Sequence, residues 1–165
     1  MARTASIVTG IFAGFLKDPE TGLGPVAANL AADAGITVTG MPPTNVAVQN
    51  VSPAIAERSV AVNYPVVLVY SDRTRNLLTE KFRTFSGKVR TVAEVRVSQD
   101  RLEGIEELTQ LYVDSITQVL DANRGSWGQG AFFTGGYEIS YEPVQHGGKN
   151  LLQIGKVTFE VDLSS

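Results

Sequence analysis

The stretch EPVQHGGKN, residues 142–150, holds the chain's single histidine beside two glycines and a lysine, residue types from which a general base or a phosphate cradle could be built. Neither chemistry survives the spacing. A phosphate loop needs a further glycine upstream, Ser or Thr after the lysine, and a helix beyond it. Here Asn150 follows Lys149 and a strand pattern comes next. An oxyanion loop at His146-Gly147-Gly148 would need a nucleophile elbow, and G-x-S-x-G occurs nowhere in the chain. The stretch lies between two strand signals, where successive glycines supply the positive φ of a tight turn, so His146 reads as a solvated turn histidine.

Other constellations yield no catalytic site. GSWGQG, residues 125–130, has G-x-x-G spacing but follows a helix instead of opening one, and reads as a helix stop with Trp127 plugging the sheet edge. Glu103, Glu106 and Glu107 crowd the first turns of a helix, where carboxylates complement the macrodipole. With no cysteine and one histidine, thiolate chemistry, disulfides and multi-histidine metal sites within one chain are excluded. No cofactor or metal is expected, and no enzymatic activity.

Arg73, Arg75, Lys81, Arg83, Lys88 and Arg90 form the densest basic segment, with Phe82 and Phe85 interleaved. Such a segment suits a single-stranded nucleic-acid platform, or a face that pairs with the acidic helix start within one subunit or across an interface. The formal net charge of −3 weighs against phosphate neutralisation as the main task.

The elements that must position these residues follow from periodicity. Ile7, Ile11, Phe12, Phe15 and Leu16 share a helical face that ends at DPETG. A second helix runs from about Gly24 to a stop at Gly35, so residues 1–35 form a helical hairpin. Residues 36–63 contain three prolines and short alternating pieces such as Val46, Val48 and Val60, Val62. They read as strands or extended arms, either a contact arm completed by a neighbouring molecule or an irregular edge hairpin on the same domain. Val66–Tyr70 suits a strand buried on both faces. In the next strand, Val89, Thr91, Ala93, Val95 and Val97 alternate with Arg90, Val92, Glu94 and Arg96, which predicts one dry face and one wet face.

A long helix is expected from about Arg101 to Asn123, with Asp100 and Glu103 as a capping box and Leu102, Ile105, Leu108 and Tyr112 on its apolar face. Two strands close the chain: Phe132–Glu142, with Tyr137, Ile139 and Tyr141 on one face, and Leu151–Leu163, where a bulge at Gly155 would turn both apolar parities to the core. The sum is a single α+β domain, residues 1–165, with 64–163 as its core: a mainly antiparallel sheet of four or more strands, covered on one face by helices, with an extended arm or hairpin insertion. The length and the 43% hydrophobic fraction suit one globular domain. No stretch reaches the roughly 18 apolar residues that a membrane span needs, and a cytoplasmic protein is expected.

The runs YPVVLVYSDRTRN, KFRTFSGKVRTVAEVRVSQDRLEGIEELTQLYVDSITQVLDANRG and GGYEISYEPVQHGGKNLLQIGKVTFEVDL, across residues 64–163, resemble the tail terminator and head–tail joining proteins of tailed bacteriophages. The resemblance lies in a strand-strand-long helix-strand-strand order that closes on VTFEVDL. It implies a structural virion protein, made in the host bacterial cytoplasm. Its copies would form a hexameric ring that caps the tail tube, contacts tube or sheath, and presents a surface to the neck or connector, with DNA only as cargo through the lumen. Other tail or neck assembly roles, such as head–tail connector or tail completion protein, are the nearest alternatives, followed by a nucleic-acid-binding module. On the ring reading, Arg73, Arg75, Arg83 and Arg90 of one subunit would meet Glu103, Glu106 and Glu107 of the next. The 36–63 arm would reach an adjacent ring.

Overall fold

The computed structural model describes residues 3–59 and 62–165. α1 (Thr4–Lys17) buries Val8, Phe12, Ala13 and Leu16, a four-residue repeat that places them on one face. The helix ends at Asp18, whose Oδ1 accepts the N–H groups of Glu20 at 2.8 Å and Thr21 at 2.9 Å. The Thr21 and Glu20 amides hold this carboxyl below the usual aspartate range. α2 (Leu23–Ala34) follows and stops at Gly35, whose φ of 70° is the left-handed conformation that glycine adopts freely.

Of residues 36–63, the described ones keep an edge strand on the same domain and add a helix where extended chain is expected. β1 (Val46–Val48) is a short edge strand paired parallel to β2 (Val66–Asn76) of the same domain, and Pro53–Ser59 forms a helix, α3. Pro53 opens that helix, where its missing N–H costs nothing. Asn45 Nδ2 donates to the carbonyls of Asn63 and Pro65 and closes the segment onto its own sheet. The expected strand at Val60, Val62 falls partly on Val60, outside the described residues, and Val62 lies in no strand.

β2 pairs antiparallel with β3 (Ser86–Gln99), and β3 with β8 (Asn150–Ser164). On the far side of β8 lie β7 (Gln145–Gly147), β6 (Tyr137–Tyr141) and β5 (Ala131–Phe133) in succession, with β4 (Gly125–Gly128) outside β5. The protein is α+β: among the described residues an eight-stranded, mostly antiparallel sheet carries α1, α2 and α4 (Ile105–Ala122) on one face. Val67, Val69, Ala93, Val95, Val157, Phe159 and Val161 pack beneath these helices. Trp127 closes the edge, its ring centroid 5.2 Å from Phe15 and 5.7 Å from Phe133, with Nε1 donating to the Asn123 carbonyl.

Four expectations are corrected here. The wet face predicted for β3 is dry: Val92, Glu94 and Arg96 are buried, because β3 is central and Val51, Ile55, Ala56 and Tyr64 stand over that side. No bulge occurs at Gly155, since β3 and β8 pair without a register shift from Ser86↔Ser164 to Gln99↔Leu151. Leu152 and Ile154 are buried on the face opposite the helices.

The long helix starts at Ile105, not Arg101, behind a left-handed Gly104. Gln99 Nε2 donates to the carbonyls of Arg101 and Glu103, holding a turn in place of the capping box and leaving Leu102 66% exposed. The strand expected over 132–142 is two strands, split at Gly135 with a φ of 111°, and Gly125–Gly128 is a strand as well as a helix stop.

Candidate assembly interface

The basic residues are organised by one irregularity in β2. Between Ser71 and Arg73 the register with β3 shifts, and Asp72 is the extra residue. Beyond the shift, Arg73 stands opposite Arg90 and Arg75 opposite Lys88, so four cations share the sheet face opposite the helices. Like charges in directly opposed pairs repel. Two of them are offset within the chain: Arg90 Nε lies 3.4 Å from Asp72 Oδ1, and Lys88 Nζ lies 2.7 Å from Asp162 Oδ1. Arg83, in the β2–β3 loop, pairs with Glu80 at 3.5 Å. Among the described residues Arg73 and Arg75 make no ion pair, and both are exposed.

Glu106 and Glu107 occupy the first turn of α4, Glu103 precedes it, and all three are exposed. β3 runs from the basic end to this acidic end, and Lys88 and Gln99 are separated along it by roughly 35 Å. The carboxylates that reach the basic segment are Asp72, Asp162 and Glu80, not those of the helix start. Pairing of the two groups within one subunit is therefore ruled out by their placement.

The acidic end extends further than the helix. Glu106 lines a surface hollow with Tyr141 and Glu142. Burial raises the Tyr141 phenol, and the charges of Asp114 and Glu106 raise it further. Tyr141 belongs to β6, whose Tyr137, Ile139 and Tyr141 share the helix-bearing face yet stay 36–40% exposed, because α4 adjoins only the Tyr141 end of this strand and does not cover it. Glu138, on the opposite parity, is exposed. Sequence reasoning recognised the common face of the three apolar residues but not their exposure. The alternation YEISY directly after Gly135-Gly136 was the available signal of a short edge strand.

Of the aromatic residues interleaved with the basic segment, Phe82 projects fully into solvent while Phe85 is 8% exposed, so the pair forms no stacking platform. His146 lies in β7 opposite Leu151, and the hairpin turns at Gly148 with a φ of 74°. A cavity of about 410 Å³ lies between α3 and the sheet, with Ile55, Ala56 and Leu68 in its wall and Arg96 at its floor. No helix of the described residues is long and apolar enough to cross a membrane. No protein-family model matches this chain, and no curated protein matches it in sequence.

Proposed function

We propose that this protein is a structural component of a tailed-bacteriophage virion, a tail terminator or head–tail joining protein whose copies close into a ring on the tail tube. The observation that carries the reading is the separation of unpaired charge. Arg73 and Arg75 lie exposed at one end and edge of the sheet, while Glu103, Glu106 and Glu107 lie at the other end, each group without an ion-pair partner among the described residues. Two different, complementary patches on one subunit make head-to-tail contacts, and such contacts close into rings when the rotation per subunit permits. The strand-strand-long helix-strand-strand order over residues 64–163 adds the resemblance to tail terminators.

On this reading the ring, of six copies by that resemblance, contacts the tail tube or sheath on one side and the neck or connector on the other, with DNA passing through its lumen. Leu77, Leu78 and Phe82, exposed in the β2–β3 loop, are apolar side chains available to such a neighbour. A nucleic-acid-binding module is the second reading, favoured by the four cations on one face and opposed by Asp72 and Asp162 among them.

Light scattering on a sizing column, at two salt concentrations and several protein concentrations, tests the proposal. The expected result is a closed oligomer of about six 17.7 kDa subunits. A chain that stays monomeric alone and also forms no ring on isolated tail tubes overturns it. Affinity for single-stranded DNA that falls steeply with salt would establish the second reading instead.

A further inference from the structure

Among the described residues, two of the open strand edges of this sheet match each other. β1 covers β2 only along Val67–Val69, so among the described residues no strand lies beside Tyr70–Asn76. On the other side of the sheet β6 pairs with β8 alone, leaving the outer edge of Tyr137–Tyr141 open. Unpaired edges are templates for another strand.

The hydrogen-bond phase of each edge can be read. Leu77 N–H donates to the Ser86 carbonyl, and in an antiparallel ladder bonded and non-bonded pairs alternate, so the backbone groups of Thr74 and Asn76 turn outward. Glu142 N–H donates to the Ile154 carbonyl, and the same alternation turns Tyr137, Ile139 and Tyr141 outward. Thr74 stands opposite Val89 on the helix-bearing face, and Ile139 stands opposite Val157 on that same face. Residues opposed in an antiparallel pair must share a face, and these do when α1, α2 and α4 of both copies lie on one side of a joined sheet.

Strand direction agrees. β2, β3, β8 and β6 alternate, so β6 runs antiparallel to β2. A rotation about an axis roughly along the strands preserves direction, and the β6 of a second copy then meets β2 antiparallel. Charge selects this pairing over two copies of the same edge. Joining β2 to β2 sets Arg73 and Arg75 against each other, whereas joining β2 to β6 sets one of them against Glu138 or Glu142 whether Thr74 stands opposite Tyr137, Ile139 or Tyr141. With Thr74 opposite Ile139, Arg75 faces Glu138, which makes no ion pair among the described residues.

That register also sets a stagger. Thr74 lies level with Val161 of β8 through Val89, and Ile139 lies level with Val157, four residues along from Val161 (161 − 157). Over the four strands β2, β3, β8 and β6 this is about 13 Å along for about 19 Å across, a strand tilt of about 35°, within the range of closed sheets.

We infer that copies of this chain associate by adding the β6 edge of one subunit to the Tyr70–Asn76 edge of β2 in the next, so that one antiparallel sheet runs from subunit to subunit with α1, α2 and α4 of every copy on the same side. The inference rests on the ring reading and names its contact. The acidic helix start then flanks the joint on the side of α4, since Glu106 adjoins Tyr141, while Arg73 and Arg75 meet the Glu138 row on the opposite side of the sheet.

Because the chain has no cysteine, introduced thiols report the contact without background. Thr74→Cys chains are mixed in turn with Tyr137→Cys, Ile139→Cys or Tyr141→Cys chains and oxidised, which spans the neighbouring registers. One mixture is expected to give disulfide-linked dimers at least about tenfold above either chain alone, and a chain carrying that pair of thiols a ladder of higher oligomers. A closed oligomer in light scattering that cross-links in none of the three mixtures overturns the edge pairing and leaves the ring reading standing. Thr74→Cys chains that link to each other and stop at dimers overturn both. A monomer in light scattering overturns the edge pairing, with Arg73 and Arg75 then acting as guards of a solitary edge. The ring reading then rests on the tail-tube test.

Discussion

Glu94 and Arg96 are two residues apart on β3, point to the same side of the sheet, and meet there as a buried ion pair with Nε and Nη2 both 2.6 Å from Oε2. The other carboxylate oxygen accepts from Tyr70 Oη at 2.9 Å, and Arg96 Nη2 also donates to the Val51 carbonyl. Paired in this way, the guanidinium ties the chain at Val51 to the central strand. Glu94→Ala strands a buried cation and is expected to cost about 3–5 kcal/mol. Replacing both partners, as Glu94→Leu with Arg96→Met, is expected to recover most of that loss. Denaturant unfolding of the three chains measures both effects, and a single variant within about 0.5 kcal/mol of the parent would show that the pair is idle.

Gly155 marks where α4 crosses β8. A Cβ built there would lie 2.6 Å from Val113 Cγ2 and 3.2 Å from Thr109 Cγ2, both on β-branched side chains with little freedom to turn away. Gly155→Ala should therefore lift the helix from the sheet and cost about 1–3 kcal/mol, visible as a lower midpoint in thermal unfolding. An unchanged midpoint would mean that the helix shifts without penalty.

The tyrosines give a signed pH dependence. Burial pushes the Tyr112 phenol up to about 12, and its Oη donates to the Thr39 carbonyl at 3.0 Å. Tyr70 is raised by burial and then by the Glu94 charge, and Tyr64 by burial and then by its hydrogen bond to Glu57. A phenol that ionises later in the folded state than in the unfolded chain binds more protons when folded. The stability it contributes is whole below about pH 10 and is lost as pH rises toward its folded value. Phenolate absorbance should therefore lag that of free tyrosine above pH 10 and rise together with loss of the helical circular dichroism signal. An absorbance that follows free tyrosine while the fold persists would contradict the burial of these rings.

Association should respond to charge at Arg75 and Glu138. Arg75→Glu alone and Glu138→Arg alone each set like charges across the proposed joint and should weaken association at least about tenfold, while the two together restore it. Sedimentation at two salt concentrations reads the change. Arg90 and Arg83 are poorer probes, because Asp72 and Glu80 already hold them within the subunit.

The local elements are legible in the order of residues alone. The helical spacing of Ile7, Ile11, Phe12, Phe15 and Leu16, the stop at Gly35, the alternation in residues 89–97 and the glycines of the last hairpin each act through neighbours in the chain, so periodicity reveals them. The fold class followed from their order. Which side of each strand meets water is set by contacts that form only in the folded chain. Glu94 and Arg96 look solvent-facing by alternation, yet they are buried because β3 is central and a distant segment covers them. Tyr137, Ile139 and Tyr141 look like core, yet they are exposed because β6 lies at the margin of the helix layer. Alternation distinguishes two faces of a strand but carries no information on what packs against either one, since strand order and coverage are set by contacts far apart in the chain. The bulge at Asp72 acts in the same way. It brings Arg73 and Arg75 onto the face of Lys88 and Arg90, and only pairing with β3 reveals it.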